Sequence, residues 1–349
     1  MFFFWPFLWG KADQLMAAYS LCSDAPYIND MKQAYFFMVF ANLIEHGYTL
    51  PFQIYNTFVL EEKYGFNKTT WQTFVKDLVK KILLVAVAYA VLIPAILAVV
   101  EKAGSALIPA LAGTVISLII VFQLLVPTVI LPIFFTFTEL KDEGLKKKIY
   151  AEAEKTNINV NEIRVIDGSQ RSSHSNAFVA GLCGARKVVI FDTLLDQHSE
   201  DEILAVVNHE LGHVALSHIV KKVIVVSIQM VAMFSAFSMV LGNSDVLRSF
   251  GFRFESNFLY LFIFANLYTP INFALQFATM YITRKFEYEA DAYAVTYGHG
   301  KSLKKALITL FKKNKAPLVA DPLYSALNHS HPTLVERLQA VDMEMKTRD

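Results

Sequence analysis

Two histidines and a glutamate in one short stretch are the residues of this chain best suited to chemistry. In His209-Glu210-Leu211-Gly212-His213 the histidines stand four positions apart. On a helix, both rings would project from one face at the separation that chelates one Zn²⁺, and Glu210 could reach a metal-bound water. The pattern predicts a zinc site with His209 and His213 as ligands and Glu210 as the catalytic base. The alternative is two surface histidines beside an incidental glutamate.

The helix that must carry this motif has a recognisable start. Glu202 follows Ser199 by three residues, which predicts a capping box, and apolar residues then recur at helical spacing. No helix breaker precedes the uncharged run from 223, so the sequence predicts one helix that continues into that run. His213 would then lie roughly 15 Å along this helix from the uncharged run, close to a membrane surface that a lipid-attached substrate could reach.

A third zinc ligand is expected from the segment at 284–298, RKFEYEADAYAVTYG. The segment is predicted to be helical, with Glu287 and Asp291 on one face. Because a catalytic zinc site uses three protein ligands, Glu287 is the candidate third ligand, and Asp291 would hold a ligand histidine by a hydrogen bond. Glu289 is predicted to be solvated on the opposite side. The alternative is that these acidic residues only cap a helix end.

Two further segments could contact a substrate. Residues 176–192 (NAFVAGLCGARKVVIFD) indicate a β-hairpin around a Gly-Leu-Cys-Gly turn. An edge strand beside the metal helix could hold a peptide by strand addition, although a hairpin that merely covers the helix is an equal alternative. Near the C-terminus, His329 and His331 precede Pro332. Either histidine could donate a hydrogen bond to a substrate carbonyl, or both could be structural.

The composition indicates a membrane protein with a polar portion. Apolar residues make up 54% of the chain and charged residues 18%, and the mean hydropathy is +0.39. Four uncharged runs are long enough to span a bilayer: 82–100, 103–138, 223–244 and 256–283. A fifth candidate, 34–58, is interrupted by Glu45 and His46. The opening MFFFWPFLWG is too short for a span or a signal peptide, and it is typical of the end of a helix.

The charge distribution orients the predicted spans. The 32 Lys+Arg and 31 Asp+Glu residues give a net charge of +1, which argues against nucleic acid as a partner. Lysines and arginines next to the predicted spans concentrate in 59–81, 139–222 and 284–349, so these segments are predicted to face the cytosol. Cys22 and Cys183 are too few for a disulfide framework and are expected to be free thiols in a reducing compartment.

Six sequence blocks, in matching order, resemble the signature motifs of the type I CAAX prenyl proteases. The HELGH block alone is shared with many zinc proteases, and HP..ER also resembles the bacterial HtpX group, whereas FVLEEKYGFNK and RSSHSNA are more specific. The resemblance covers nearly the whole chain from about residue 5. The blocks are FVLEEKYGFNKTT (58–70), DGSQRSSHSNAF (167–178), VIFDTLL (189–195), NHELGHVALSH (208–218), RKFEYEADAYA (284–294) and HSHPTLVERL (329–338).

The resemblance implies a zinc endopeptidase of seven transmembrane helices around an intramembrane chamber. Its members reside in the endoplasmic reticulum membrane and nuclear envelope, and remove the last three residues of farnesylated or geranylgeranylated CaaX proteins. Residue by residue, it matches the zinc ligands to His209, His213 and Glu287, the catalytic glutamate to Glu210, the substrate-binding residues to Asn176, His331 and Arg337, and a supporting position to Asp291. One Zn²⁺ per chain, the lipid bilayer and prenylated CaaX proteins or peptides are the expected cofactor and partners.

The predicted fold is an α-helical integral membrane protein, a multi-span helical chamber with a mainly helical metalloprotease portion that contains a small β-hairpin or sheet. We expect one membrane-integrated peptidase domain over 1–349. It would comprise an N-terminal transmembrane region (1–138), a cytosolic-side catalytic segment with the HELGH helix (139–222), two transmembrane helices (223–283) and a C-terminal catalytic segment with the third ligand (284–349).

One departure from the family and two alternative functions follow from the same sequence. Family members carry further spans before the point that matches the start of this chain, so the chain is expected to lack the family's N-terminal transmembrane part. An HtpX-like quality-control protease would use the same zinc chemistry without requiring a prenyl group. A catalytically silent membrane scaffold is the second alternative, against which the intact ligands and Glu210 argue.

Overall fold

Helices predominate in the computed structural model, which describes residues 4–181 and 186–348. The α-helices are α1 Phe4–Ala18, α2 Pro26–Tyr55, α3 Trp71–Lys102, α4 Leu107–Leu125, α5 Leu131–Phe134, α6 Glu143–Lys155, α7 Asp192–Gln197, α8 Glu200–Ala215, α9 His218–Ser238, α10 Ser244–Ser249, α11 Asn257–Leu267, α12 Thr269–Thr296, α13 Gly300–Lys313, α14 Pro322–Asn328 and α15 Leu334–Lys346. Short π-helical segments cover Asn56–Glu61 and Val126–Ile130, and 3-10 turns cover Gly104–Ala106 and Gly168–Gln170. The strands are β1 Phe137–Glu139, β2 Val160–Ile166, β3 Ala177–Ala180 and β4 Arg186–Phe191.

The chain divides into two compact units. The first comprises Met1–Val59, Trp71–Ile120 and Val226–Phe273. The second comprises Leu60–Thr70, Val121–Val225 and Ala274–Asp349, and it holds every residue that the sequence assigned to the candidate zinc site.

Several helices are suited to crossing a membrane. Within residues 4–181 and 186–348, three helical stretches are long and apolar enough: Trp71–Lys102, Gly104–Phe134 and His218–Ser238. The pair α11 and α12 would make a fourth span if taken together, although the two helices meet at an angle of 59°. These stretches match the four uncharged runs, whereas α2, which contains most of 34–58, does not meet the same requirement. The predicted α-helical membrane protein with a small sheet is confirmed.

The sheet has four strands in the order β1-β2-β4-β3. The predicted hairpin is present as the antiparallel pair β3 and β4, and β3 lies at the edge of the sheet. Residues 182–185, which include Cys183 and most of the predicted Gly-Leu-Cys-Gly turn, lie outside the described residues, whereas Cys22 is an exposed free thiol. Strands β1 and β2 are additional to the hairpin, and β2 pairs with β4 in parallel.

Buried apolar residues hold the metal helix α8 in place on two sides. Ile203, Val207 and Leu211 of α8 pack in one core cluster with residues of α6 and the sheet. Ala205 packs in a second cluster with Ala294 of α12 and with residues of α13 and α15. The elements that carry the candidate ligands are therefore held by packing that the metal itself does not supply.

The start of α8 matches the sequence prediction, but its end does not. The capping box is present, with the Glu202 carboxylate accepting a hydrogen bond from the Ser199 backbone N–H at 2.8 Å. The prediction of one unbroken helix into the uncharged run is wrong, because α8 ends at Ala215 and Ser217 adopts a left-handed conformation with φ 55°. The inferred 15 Å path from His213 along a single helix therefore does not apply.

The approach of α12 to α8 depends on a glycine. A Cβ atom at Gly212 would lie 3.0 Å from the Tyr293 Cβ and 3.2 Å from the Ala290 Cα, which is closer than ordinary contact. The missing side chain lets the backbones of the two helices come together there. Glu287 lies one turn before Ala290 on α12, so this close approach helps to bring it toward His209 and His213 of α8.

Candidate metal centre

Three side chains from α8 and α12 converge as a potential metal site. The His209 Nε2 and His213 Nε2 atoms are 3.2 Å apart. Glu287 presents Oε2 at 3.5 Å from His209 Nε2 and Oε1 at 3.4 Å from His213 Nε2. Within the described residues, this is the one group of three histidine, cysteine or acidic side chains close enough to share a metal ion.

These distances fit a tetrahedral zinc ion. Zinc–nitrogen and zinc–oxygen bonds of about 2.0–2.1 Å at tetrahedral angles separate neighbouring ligand atoms by roughly 3.3 Å. The separation of 3.2 Å between the two histidine nitrogens, and those of 3.4 and 3.5 Å from these nitrogens to the two Glu287 oxygens, lie on either side of that value. Two imidazoles and one carboxylate are also a donor set used by catalytic zinc, with a fourth position left for water.

Asp291 and Arg337 support His209 on the Nδ1 side of its ring, away from the other candidate ligands. The Asp291 Oδ1 atom lies 2.9 Å from His209 Nδ1, and the Arg337 guanidinium donates to both Asp291 oxygens at 2.6 and 2.8 Å. All three residues are buried. Burial lowers the pKa of His209, but its contacts with Asp291 and Glu287 outweigh burial and raise that pKa to about 9. Metal binding at His209 must therefore displace a proton near neutral pH.

His213 has its own supporting chain, which the sequence interpretation missed. His213 Nδ1 lies 2.8 Å from His218 Nδ1, and His218 Nε2 lies 3.0 Å from Glu289 Oε2. The expectation that Glu289 is simply solvated is wrong, because its carboxylate contacts this buried histidine. The signal available in the sequence was the third histidine in NHELGHVALSH, but a residue five positions beyond His213 on a continuous helix would project about 140° away from it.

Glu210 lies beside the histidines and lines a cavity of about 450 Å³. The cavity is also lined by His209 and Glu287, so it gives a substrate access to the candidate ligands. Burial raises the pKa of the Glu210 carboxyl, while the neighbouring histidines act in the opposite direction. A raised pKa suits a carboxylate that must accept a proton and later release it.

The residues expected to bind substrate line the same cavity. Asn176 is exposed and immediately precedes the edge strand β3. Both His329 and His331 line the cavity, but His331 reaches further, with Nδ1 2.7 Å from Glu287 Oε2. Arg337 also lines it, although its guanidinium faces Asp291, so its contacts are those of a supporting residue.

The cavity has an apolar wall that sequence analysis did not identify. It is formed largely by α13 and the residues after it, including Leu303, Leu307, Leu310 and Phe311. Helix α13 packs against α8, so this wall lies alongside the metal helix. A peptide placed against Glu210 could therefore bury aliphatic side chains on α13.

Two family models match adjacent parts of the chain. The model described as Peptidase family M48 matches residues 139–345, and the model described as CAAX prenyl protease N-terminal, five membrane helices, matches residues 1–136. The second match contradicts the expectation that the chain lacks the family's N-terminal transmembrane part. The matched residues of the first model include all of the candidate metal centre.

Curated relatives and a solved structure agree with these matches. The CAAX prenyl protease 1 homolog of Arabidopsis thaliana is 39% identical over 86% of this chain and 71% of that protein. CAAX prenyl protease 1 of Saccharomyces cerevisiae is 36% identical over 97% of this chain and 78% of that protein. The crystal structure of S. mikatae Ste24p superposes with a TM-score of 0.88 and 35% identity, covering 97% of this chain and 80% of that one. The chain is therefore a membrane metalloprotease of peptidase family M48 and belongs to its CAAX prenyl protease group.

Proposed function

We propose that this protein is a zinc-dependent membrane endopeptidase that removes the last three residues of prenylated proteins ending in CaaX. The names of its relatives support the substrate class. The observation that carries the chemistry is the convergence of three side chains beside Glu210 at the wall of a cavity: the His209 and His213 Nε2 atoms lie 3.2 Å apart, and each lies 3.4–3.5 Å from an oxygen of Glu287. His209, His213 and Glu287 would hold one Zn²⁺ per chain.

Each nearby side chain has a task in peptide hydrolysis. Bound zinc would supply Lewis acidity, making water more acidic and polarising the scissile carbonyl. Glu210 accepts the proton from the attacking water and delivers it to the leaving amine. His331, whose side chain is 61% exposed at the cavity, donates a hydrogen bond to the scissile carbonyl oxygen.

Substrate binding uses the sheet edge and the apolar wall. Asn176 and the free edge of β3 align the peptide backbone by strand addition next to α8. The apolar α13 residues accept the aliphatic side chains of the aaX tripeptide. The prenyl group is retained by the lipid bilayer or by the membrane helices, which would place substrates at the membrane surface.

The proposed location is the endoplasmic reticulum membrane, with the nuclear envelope as a continuous extension of it. The multi-pass helices support a membrane location. Lysines and arginines next to the predicted spans are concentrated in 139–222 and 284–349, which favours a cytosolic orientation of these catalytic segments. Prenylated proteins with newly modified C-termini would reach the site from that side.

Mass spectrometry of peptide products tests this function. Detergent-purified protein with zinc is incubated with a farnesylated CaaX peptide, with the matched unprenylated peptide, and in parallel as the Glu210→Gln variant. We expect loss of three C-terminal residues from the farnesylated peptide only, and no turnover by the variant. Equal cleavage of both peptides would replace the proposal with the quality-control alternative, and wild-type turnover by Glu210→Gln would refute the assigned base.

A further inference from the structure

Beyond the three ligands, we infer that His218 and Glu289 form a positioning relay that sets the orientation and the zinc affinity of His213. The inference rests on the proposed function, because it concerns how one ligand of that site is held. It assigns a role to two residues outside the HELGH motif that make no direct contact with the metal position.

The geometry fixes the direction of the relay. His213 turns Nε2 toward His209 and Glu287, so Nε2 is the atom available to the metal and Nδ1 must carry the proton. That Nδ1–H donates to His218 Nδ1 at 2.8 Å. His218 then carries its proton on Nε2 and donates to Glu289 Oε2 at 3.0 Å. Each donor in this series of hydrogen bonds has one acceptor, and the Glu289 carboxylate is the last acceptor.

Burial and ring stacking hold the His218 side chain in this orientation. Its side chain is 1% exposed, and its ring stacks on Phe286 with centroids 4.2 Å apart and planes at 8°. Phe286 directly precedes the candidate ligand Glu287 on α12. The ring of His218 therefore joins the turn after α8 to the helix that supplies the third ligand.

The break between α8 and α9 brings His218 to the position that the relay needs. Ser217 takes the left-handed conformation between the two helices, and His218 lies in contact with His213, five positions earlier. Lys221 and Lys285 each lie 3.8 Å from the Glu289 carboxylate and pair with it at the surface. The relay thus resembles the contact of Asp291 with His209, extended by one imidazole.

The test measures zinc affinity by chelator competition, with catalytic turnover as a second readout. His218→Leu removes both hydrogen bonds, and we expect roughly 10–100-fold weaker zinc binding, as for other residues that orient metal ligands. His218→Asn keeps an acceptor near His213, so it should recover part of the affinity. Glu289→Gln should weaken zinc binding less than His218→Leu, because its carboxylate acts through a second imidazole.

Glu344→Gln is the matched control. Glu344 also pairs with a cation one helical turn away, Arg348, and its side chain is 32% exposed against 31% for Glu289. Its zinc affinity should equal that of the wild type. A purely structural role for His218 would lower the melting temperature of chelated and zinc-loaded protein alike, whereas the relay predicts a smaller zinc-induced stabilisation.

The outcomes separate this inference from the proposed function. Weaker zinc binding by His218→Leu, with kcat restored at excess zinc, supports the relay whatever peptide the wild type cleaves. Zinc affinity within twofold of wild type in His218→Leu overturns it, even if the farnesylated peptide is processed. If His218→Leu does not fold, unchanged affinity in both His218→Asn and Glu289→Gln overturns it equally.

Discussion

Replacing Asp291 by asparagine should destabilise the protein even when no metal is bound. The substitution keeps the size of the side chain but removes the charge that the buried Arg337 guanidinium contacts at 2.6 and 2.8 Å. Asparagine also keeps only one acceptor oxygen, where Asp291 uses two to accept from Arg337 and places one of them 2.9 Å from His209 Nδ1. Arg337 is 5% exposed, so water cannot take the place of the lost carboxylate.

The size of the effect follows from the neighbours that remain. Removing one partner of a buried ion pair costs about 3–5 kcal/mol, because the other charge is left without compensation. Glu287 Oε2 lies 3.9 Å from Arg337 Nη1 and retains part of the attraction. We therefore expect a loss near the lower limit, about 3 kcal/mol, or a fall in melting temperature of roughly 6–12 °C for a unit of about 200 residues.

The assay is thermal unfolding of the detergent-solubilised protein in excess chelator. Asp342→Asn is the matched control, since Asp342 pairs with Lys304 at the surface and should cost less than about 1 kcal/mol. The double variant Asp291→Asn/Arg337→Met removes both charges and should regain much of the lost stability. Equal melting temperatures for the Asp291→Asn and Asp342→Asn variants, or a double variant no more stable than Asp291→Asn alone, would refute the reasoning.

Three further predictions concern the packing and the ends of the elements around the site. Gly212→Ala should force α8 and α12 apart, at an overpacking cost of about 1–3 kcal/mol, and lower both zinc affinity and turnover. The control is Gly47→Ala, which should be tolerated because a Cβ there meets nothing within 4 Å. Equal zinc affinities of the two variants in a zinc titration would contradict the role of Gly212. Ser199→Ala removes the serine side chain from the capping box of α8 but leaves the backbone bond to Glu202; it should cost about 1 kcal/mol in thermal unfolding, and no loss would argue against a role of that side chain in the cap. Burial raises the pKa of Glu152, but hydrogen bonds from Lys155 and His299 outweigh it and hold that pKa below its usual value. Its stabilisation is therefore present above the unfolded pKa and is lost as pH falls through the lower folded pKa. The stability difference from Glu152→Gln should be full at pH 7, begin to fall near the unfolded value of about 4.3, and disappear below the folded pKa. A difference independent of pH would contradict the pairing.

Local sequence patterns were sufficient where the relevant geometry is local. Two histidines four positions apart on a helix must share a face, and the structure brings their Nε2 atoms to 3.2 Å. The start of α8 was predictable because a capping box involves residues only three positions apart. The antiparallel pair of β3 and β4 was predictable for the same reason, since the two strands are close together in the sequence.

Features that depend on tertiary contacts were not predictable from the same patterns. No proline or glycine lies between His213 and His218, and Ser217 takes a conformation that serine rarely adopts, so nothing in that stretch of sequence marked the break. Without that break, His218 could not be recognised as a neighbour of His213. Glu289 was judged only by its position relative to Glu287 on α12, which ignores what the turn after α8 places beside it.

Non-local pairing explains the remaining differences. Strand β2 pairs in parallel with β4, and β1 is only three residues long, so neither carried a hairpin signal. The apolar wall from α13 was also hidden, because an amphipathic helix shows that it has a partner without showing which one. The contact of α13 with α8 supplies that information.

Metal reconstitution tests the central claim most directly. The protein is stripped of metal with a chelator, zinc is added back in steps, and release of the C-terminal tripeptide from a farnesylated CaaX peptide is measured by mass spectrometry. We expect no cleavage by the metal-free protein and a linear recovery that stops at one zinc per chain. Full cleavage without metal, or recovery that requires a different number of zinc ions, would contradict a single catalytic zinc held by His209, His213 and Glu287.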